Sequence, residues 1–204
     1  MTTARDLVLV ALGMPSDQLV GQGDLSLALA GAEAIDLPQS GALRLDGDRM
    51  VPGPQAVSGD PLLDQADASL ARQGPYETVD EWLWRRADDL APAYADALER
   101  AGLVIHPHGH GFRLLSGRAV LADSQACREA EERRASGEPV LAGLLAASGI
   151  EGSDEEPSGV GDSPLDDAVT TVLAAVGDAV MRLEAVRLRR DVENAAFDNV
   201  WRGW

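Results

Sequence analysis

Two indoles and two guanidiniums fall within five residues at Trp82, Trp84, Arg85 and Arg86. Forked N–H donors beside an aromatic face are the chemistry that grips a phosphate, so Trp82, Arg85 and Arg86 are a candidate anion site. A plainer reading stays open beside it: Trp82 belongs to the core, and the arginines pair with Asp88 and Asp89 one helical turn on. All three histidines of the chain stand at His106, His108 and His110. In an extended segment, period-two spacing sets three imidazoles on one side, which suits Zn²⁺ or Ni²⁺. However, Pro107, Gly109 and Gly111 read as a loop entering a hairpin, with no carboxylate or Cys close by. A surface loop is therefore expected, not a metal.

Nothing else in the chain carries a recognisable reaction. There is no nucleophile elbow, phosphate-binding loop or Cys–His pairing, and Cys127 lies among apolar helix positions. The carboxylate pairs Asp88-Asp89 and Asp166-Asp167 are adjacent, and adjacent residues on a helix do not face each other. The expectation is a protein without catalytic residues or cofactor. Contact surfaces are better represented. Leu114 and Leu115, flanked by Arg113 and Arg118, lie on a hairpin that either packs on the domain or touches a partner or membrane. Phe197, Val200, Trp201 and Trp204 follow an i, i+3, i+4, i+7 stripe. Such a stripe is expected to dock into the domain or a partner subunit, the alternative being a membrane interface.

The elements that must position these groups are mostly helices. Thr3 and Asp6 form a capping-box-like pair before Leu7 to Leu12, a helix apolar nearly all round and therefore central. A second helix is predicted from Asp24 through Ile35. Asp46-Gly47 marks a small hairpin within Leu43 to Val51. Asp60 and Pro61 cap a helix ending at Gly74-Pro75. Thr78 and Glu81 form a capping box, and the helical period then continues from Val79 through Leu98 to Gly102, where a left-handed cap returns Leu103 onto Leu98. Leu103 to Ile105 and Phe112 to Leu121 read as extended, with a turn at Ser116-Gly117. Asp123 or Ser124 caps a charged helix through Arg134, and Val140 to Ala147 is apolar on all sides. Residues 151–163 read as an acidic Gly/Ser-rich flexible loop. Residues 164–204 read as one long C-terminal helix packed on the domain. The predicted fold is mainly α: one domain over residues 1–204, with a central apolar helix bundle, amphipathic outer helices and one or two β-hairpins.

Composition narrows the partners. The chain of 204 residues carries 34 acidic side chains against 17 basic ones, a net charge of −17, and every basic residue is Arg. Nucleic acid and anionic membranes are repelled over most of such a surface, so nucleic-acid binding is not expected. One cysteine permits no internal disulfide and suits a reducing compartment. The start of the chain, Thr2-Thr3-Ala4-Arg5-Asp6 before Leu7 to Leu12, gives no secretory signal and too short an apolar run to span a bilayer. The expected location is the cytoplasm, free or peripheral to a membrane.

Four ordered stretches carry a family resemblance. They are Asp6 to Leu12; Leu29 to Leu37 followed by Ser40-Gly41-Ala42-Leu43-Arg44-Leu45; Ser58-Gly59-Asp60-Pro61-Leu62-Leu63-Asp64-Gln65-Ala66; and Glu77 to Trp82 with Leu98 to Leu103. In that order the chain resembles the Golgi phosphoprotein 3 family, in its bacterial, actinobacterial form. The resemblance implies a mostly helical domain with a protruding β-hairpin and no chemistry of its own. It also implies an adaptor that binds phosphatidylinositol 4-phosphate through an indole and three arginines. The matching positions here are Gly21 for the indole, Ala30 for the first Arg, and Asp88 and Ala91 for the other two. The fold is thus expected with a weakened or lost anionic head-group site, of which Trp82, Arg85 and Arg86 are the residual candidate. The alternative is an acidic cytosolic scaffold that binds protein, or a second copy of itself, through the hairpin or the C-terminal stripe and has no lipid ligand.

Overall fold

The computed structural model describes residues 2–14, 20–105, 120–150 and 166–201. Helix α1 (Thr3–Gly13) buries Ala4, Leu7, Val8, Leu9 and Val10, as a helix apolar on every side must. It lies against α2 (Gln22–Asp36), which is itself buried along nearly its whole length. The two helices are joined end to end. Asp36 Oδ2 accepts from the backbone N–H of Thr3 at 2.7 Å and of Ala4 at 3.4 Å. The expected Thr3–Asp6 capping box is therefore replaced by a carboxylate from the last residue of α2. Asp6 turns instead to Arg133, 2.8 Å away. A buried helix start has no water to satisfy its first amides, so a remote acceptor is a direct solution.

A 3-10 turn over Leu37–Ser40 leads into the hairpin of β1 (Leu43–Asp46) and β2 (Arg49–Pro52). Leu45 pairs with Met50, and Gly47 takes the positive φ, +62°, that the Asp-Gly pair predicts. The hairpin is stitched to the next helix by Met50 N–H to the Glu77 carbonyl and Val79 N–H to the Asp48 carbonyl, each 2.9 Å.

Helix α3 (Pro61–Ser69) starts as its sequence dictates, with Asp60 Oδ1 accepting from the N–H of Leu62 at 2.9 Å and of Leu63 at 3.4 Å. It stops short of the predicted Gly74-Pro75. Leu70 is already extended, and the Arg72 guanidinium donates to the Asp67 carbonyl and carboxylate, taking over the end of the helix.

The period from Val79 to Leu98 is not one helix but two, α4 (Val79–Arg86) and α5 (Leu90–Arg100), broken where Asp89 takes a left-handed φ of 51°. Pro92 explains the break. It has no N–H to give an interior helical carbonyl, yet fits in the first turn of a helix that begins afresh at Leu90. The capping box at Thr78 and Glu81 forms, as does the left-handed cap at Gly102, with Leu103 N–H returning to the Leu98 carbonyl at 2.9 Å.

Strands β3 (Val104–Ile105) and β4 (Val120–Leu121) pair antiparallel. The hairpin tip, with His106, His108, His110, Leu114, Leu115 and the Ser116-Gly117 turn, lies outside the described residues, as does the 151–163 loop. Ser124 caps α6 (Gln125–Ala135). Helix α7 (Pro139–Ala147) buries Leu141, Leu144 and Leu145 but exposes Ala146, so one face is core rather than all sides. The last helix, α8 (Asp167–Trp201), crosses α2 and α7 at glycines. A Cβ on Gly143 would sit 2.7 Å from Leu173 Cδ1, and one on Gly31 would lie far inside contact with Val176 Cγ2. These two glycines let α8 seat Val172, Val176 and Ala179 in the core. From Glu184 to Asn194 the side chains of α8 are exposed, apart from half-buried Arg187. Phe197, Val200 and Trp201 belong to its last turns, and Trp204 lies outside the described residues.

Candidate functional site

Helix α4 carries the aromatic and basic cluster, and its amphipathic period turns Trp82 inward. The indole is wholly buried, its Nε1–H donating to the backbone carbonyl of Ala30 at 3.1 Å. Trp84 is 40% exposed, with the Arg182 guanidinium of α8 over its ring at 5.6 Å. Arg85 lies 5.1 Å from the Trp82 ring centroid and forks onto Glu77, the shortest N–O distance being 2.7 Å. Arg86 points inward to Glu33, with Nε–Oε2 2.7 Å and Nη2–Oε1 2.9 Å, and also donates to the Leu62 carbonyl. The arginines therefore pair with Glu77 and Glu33, not with Asp88 and Asp89. Long-range partners fixed by packing outcompete the exposed one-turn pairs, which are worth little.

Glu33 is fully buried and also accepts from the Tyr94 hydroxyl at 3.1 Å. Burial pushes its carboxyl above the usual glutamate range, although Arg86 and Tyr94 both pull it down. Burial and the facing Glu33 carboxylate raise the Tyr94 phenol well above normal. For Arg86, burial opposes the charge, but the Glu33 fork outweighs it and the guanidinium is held more basic than usual. This is a closed, satisfied ion pair with a phenol attached.

Of the four positions that the resemblance matched to head-group residues, Gly21 precedes α2, Ala30 lies midway along it, and Asp88 and Ala91 flank the start of α5. Gly21 immediately precedes α2, and a Cβ there would strike the Asp24 carboxylate and lie 3.1 Å from Arg187 Nη2. That volume belongs to the Arg187–Asp24 pair, 2.6 Å at its shortest. Ala30 is wholly buried. Ala91 is buried too, its N–H donating to Ser26 Oγ at 3.1 Å. Asp88 is exposed at the α4–α5 break. Sequence reading missed both Arg187 and Glu33 as partners. Arg187 stands 163 residues from Asp24, and Glu33 stands 53 from Arg86, so no local pattern announced either pair.

Two clefts open elsewhere. One, of about 930 Å³, runs between α8 and the start of α4; its charged lining is net acidic, Asp48, Asp80 and Asp178 against Arg182, which pairs with Asp80. The other, of about 560 Å³, lies between the starts of α1 and α3 and the end of α5. Among the described residues no group of His, Cys, Asp and Glu is arranged to hold a metal ion. Among them, too, no helix is long and apolar enough to cross a membrane.

The described residues thus define a mainly helical protein with two small antiparallel hairpins. A family model described as Golgi phosphoprotein 3 (GPP34) matches residues 4–195, and the chain belongs to that family. No curated protein matches it.

Proposed function

We propose that this chain is a non-enzymatic Golgi phosphoprotein 3-like binding module, working as one unit over residues 1–204, in which the family's phosphatidylinositol 4-phosphate chemistry is weak or lost. The observation that carries this reading is the Arg187–Asp24 pair lying against Gly21, with Ala30 and Ala91 buried and no cation at any of the four matched positions. A phosphomonoester needs several forked donors focused on one point. Arg85 and Arg86, the residual candidates, would have to leave Glu77 and Glu33 to serve it. A surface of net charge −17 adds a general repulsion. Calorimetric titration with the water-soluble inositol bisphosphate head group tests this directly. No saturable heat is expected, and a saturable one at physiological salt would contradict the reading.

A second reading, a cytosolic interaction scaffold, is favoured by α8. Met181, Leu188 and Val192 are 62%, 59% and 69% exposed along its outer length. Large apolar side chains repeated on one helix are suited to a protein partner or a second copy. Sedimentation over a concentration series separates self-association from a monomer awaiting another protein.

A further inference from the structure

We infer that the cleft between the starts of α1 and α3 and the end of α5 is a binding site for a carboxylate carried on a short apolar body. None of the four positions matched to the head-group residues lines it, and Arg100 is nine residues along α5 from Ala91, roughly 14 Å at helical rise.

Most arginines among the described residues are held by a carboxylate. Arg44, Arg190, Arg5 and Arg100 are not, although acidic residues outnumber basic ones two to one, and the last two come together. Both line this cleft. Arg5 Nε is buried, with no acceptor among the described residues, so a charged donor faces inward unanswered. Arg100 uses Nε on the Asp96 carbonyl and leaves the rest of its fork uncommitted.

The one acid in the lining is Asp60, and its oxygens are occupied by the Thr2 hydroxyl and the amides of Leu62 and Leu63. Two positive charges against one negative make this cleft basic within an acidic protein, whereas the larger cleft is acidic. Helices α1 and α3 both begin here, their first amides already held by Asp36 and Asp60, so the basic character rests on the two guanidiniums. The surplus of one positive charge matches a monoanion. A phosphate dianion would retain an uncompensated charge beside Asp60, which favours a carboxylate. Leu62 and Leu98 supply apolar wall for what the carboxylate carries.

A carboxylate on an apolar body occurs in small free acids and at peptide C-termini, and the test separates these sources. The full chain is titrated calorimetrically with sodium octanoate, with a leucine-ended tetrapeptide as free acid and as amide, with inorganic phosphate, and with octylamine. Saturable binding is expected for octanoate, for the free-acid peptide, or for both. The arm that binds names the source, with phosphate weaker and the amide and octylamine silent. Arg100→Gln, at an exposed position, and Arg5→Gln should each weaken that binding about tenfold, the loss of one charge-assisted contact. Thermal unfolding checks that each variant is folded, and Arg100→Gln alone decides the matter if Arg5→Gln is not. No saturable binding of either carboxylate would overturn the inference, as would binding shared equally by octylamine or left unchanged by Arg100→Gln.

Discussion

Arg187 reaches back from α8 to hold Asp24 at the start of α2, 2.6 Å away, and its guanidinium lies against Gly21. The contact joins the last helix to the start of α2. Gly21 leaves room for it, because a side chain there would meet both partners of the pair and make them shift. The bare backbone at this position and the docking of α8 thus fit one another.

The Glu33–Arg86 fork should be costly to break. With Glu33 fully buried and Arg86 largely so, Glu33→Ala strands a guanidinium and a phenol, and a loss of about 3–5 kcal/mol is expected. Replacing both, as Glu33→Leu with Arg86→Met, should lose clearly less than Glu33→Ala alone. Urea unfolding of the two variants measures the difference.

Gly31→Ala should destabilise by about 1–3 kcal/mol, because the new methyl overlaps Val176 Cγ2. Adding Val176→Ala should recover part of that loss, since the two sites share one contact. Thermal melts of the single and double variants test the pairing and, with it, the seat of α8.

Removing the Asp60 cap should weaken α3 by about 1–2 kcal/mol in Asp60→Ala, with Asp60→Asn losing markedly less because an amide oxygen can still accept. Hydrogen exchange confined to the first turn of α3 locates the effect.

Mild acid should stabilise the fold. Burial raises the carboxyls of Asp6, Glu33 and Asp36 above their ordinary values. A carboxyl with a raised folded-state pKa binds its proton more tightly folded than unfolded. Its contribution is full below the unfolded value and is lost as pH rises through the folded one. Lowering the pH from neutrality toward about 5 therefore moves these three groups in the stabilising direction, while also relieving part of the −17 self-repulsion. A melting temperature that rises over that interval is the expected result; one that falls steadily would contradict the assignment.

What was legible in the sequence is what a few neighbouring residues decide. Asp60 with Pro61, Thr78 with Glu81, Asp46-Gly47 and Gly102 with Leu103 all formed as their chemistry requires. The break at Asp89 was also legible, in Pro92, but the apolar period running through it concealed the signal. The cap of α1 by Asp36, the Glu33–Arg86 fork and the Arg187–Asp24 pair were not legible. Each joins side chains that only the packed helices bring together, over 33, 53 and 163 residues. For the same reason the anion cluster drawn from Trp82, Arg85 and Arg86 rested on their closeness along α4. Closeness in sequence could not reveal that Glu77 and Glu33 hold the arginines.

The central claim, that this family member does not use phosphatidylinositol 4-phosphate as its anchor, is tested most directly by vesicle flotation at physiological salt. Neutral phosphatidylcholine vesicles are compared with the same vesicles carrying phosphatidylinositol 4-phosphate. Equal, background-level recovery of the protein with both is expected. Saturable recovery that depends on phosphatidylinositol 4-phosphate would contradict it.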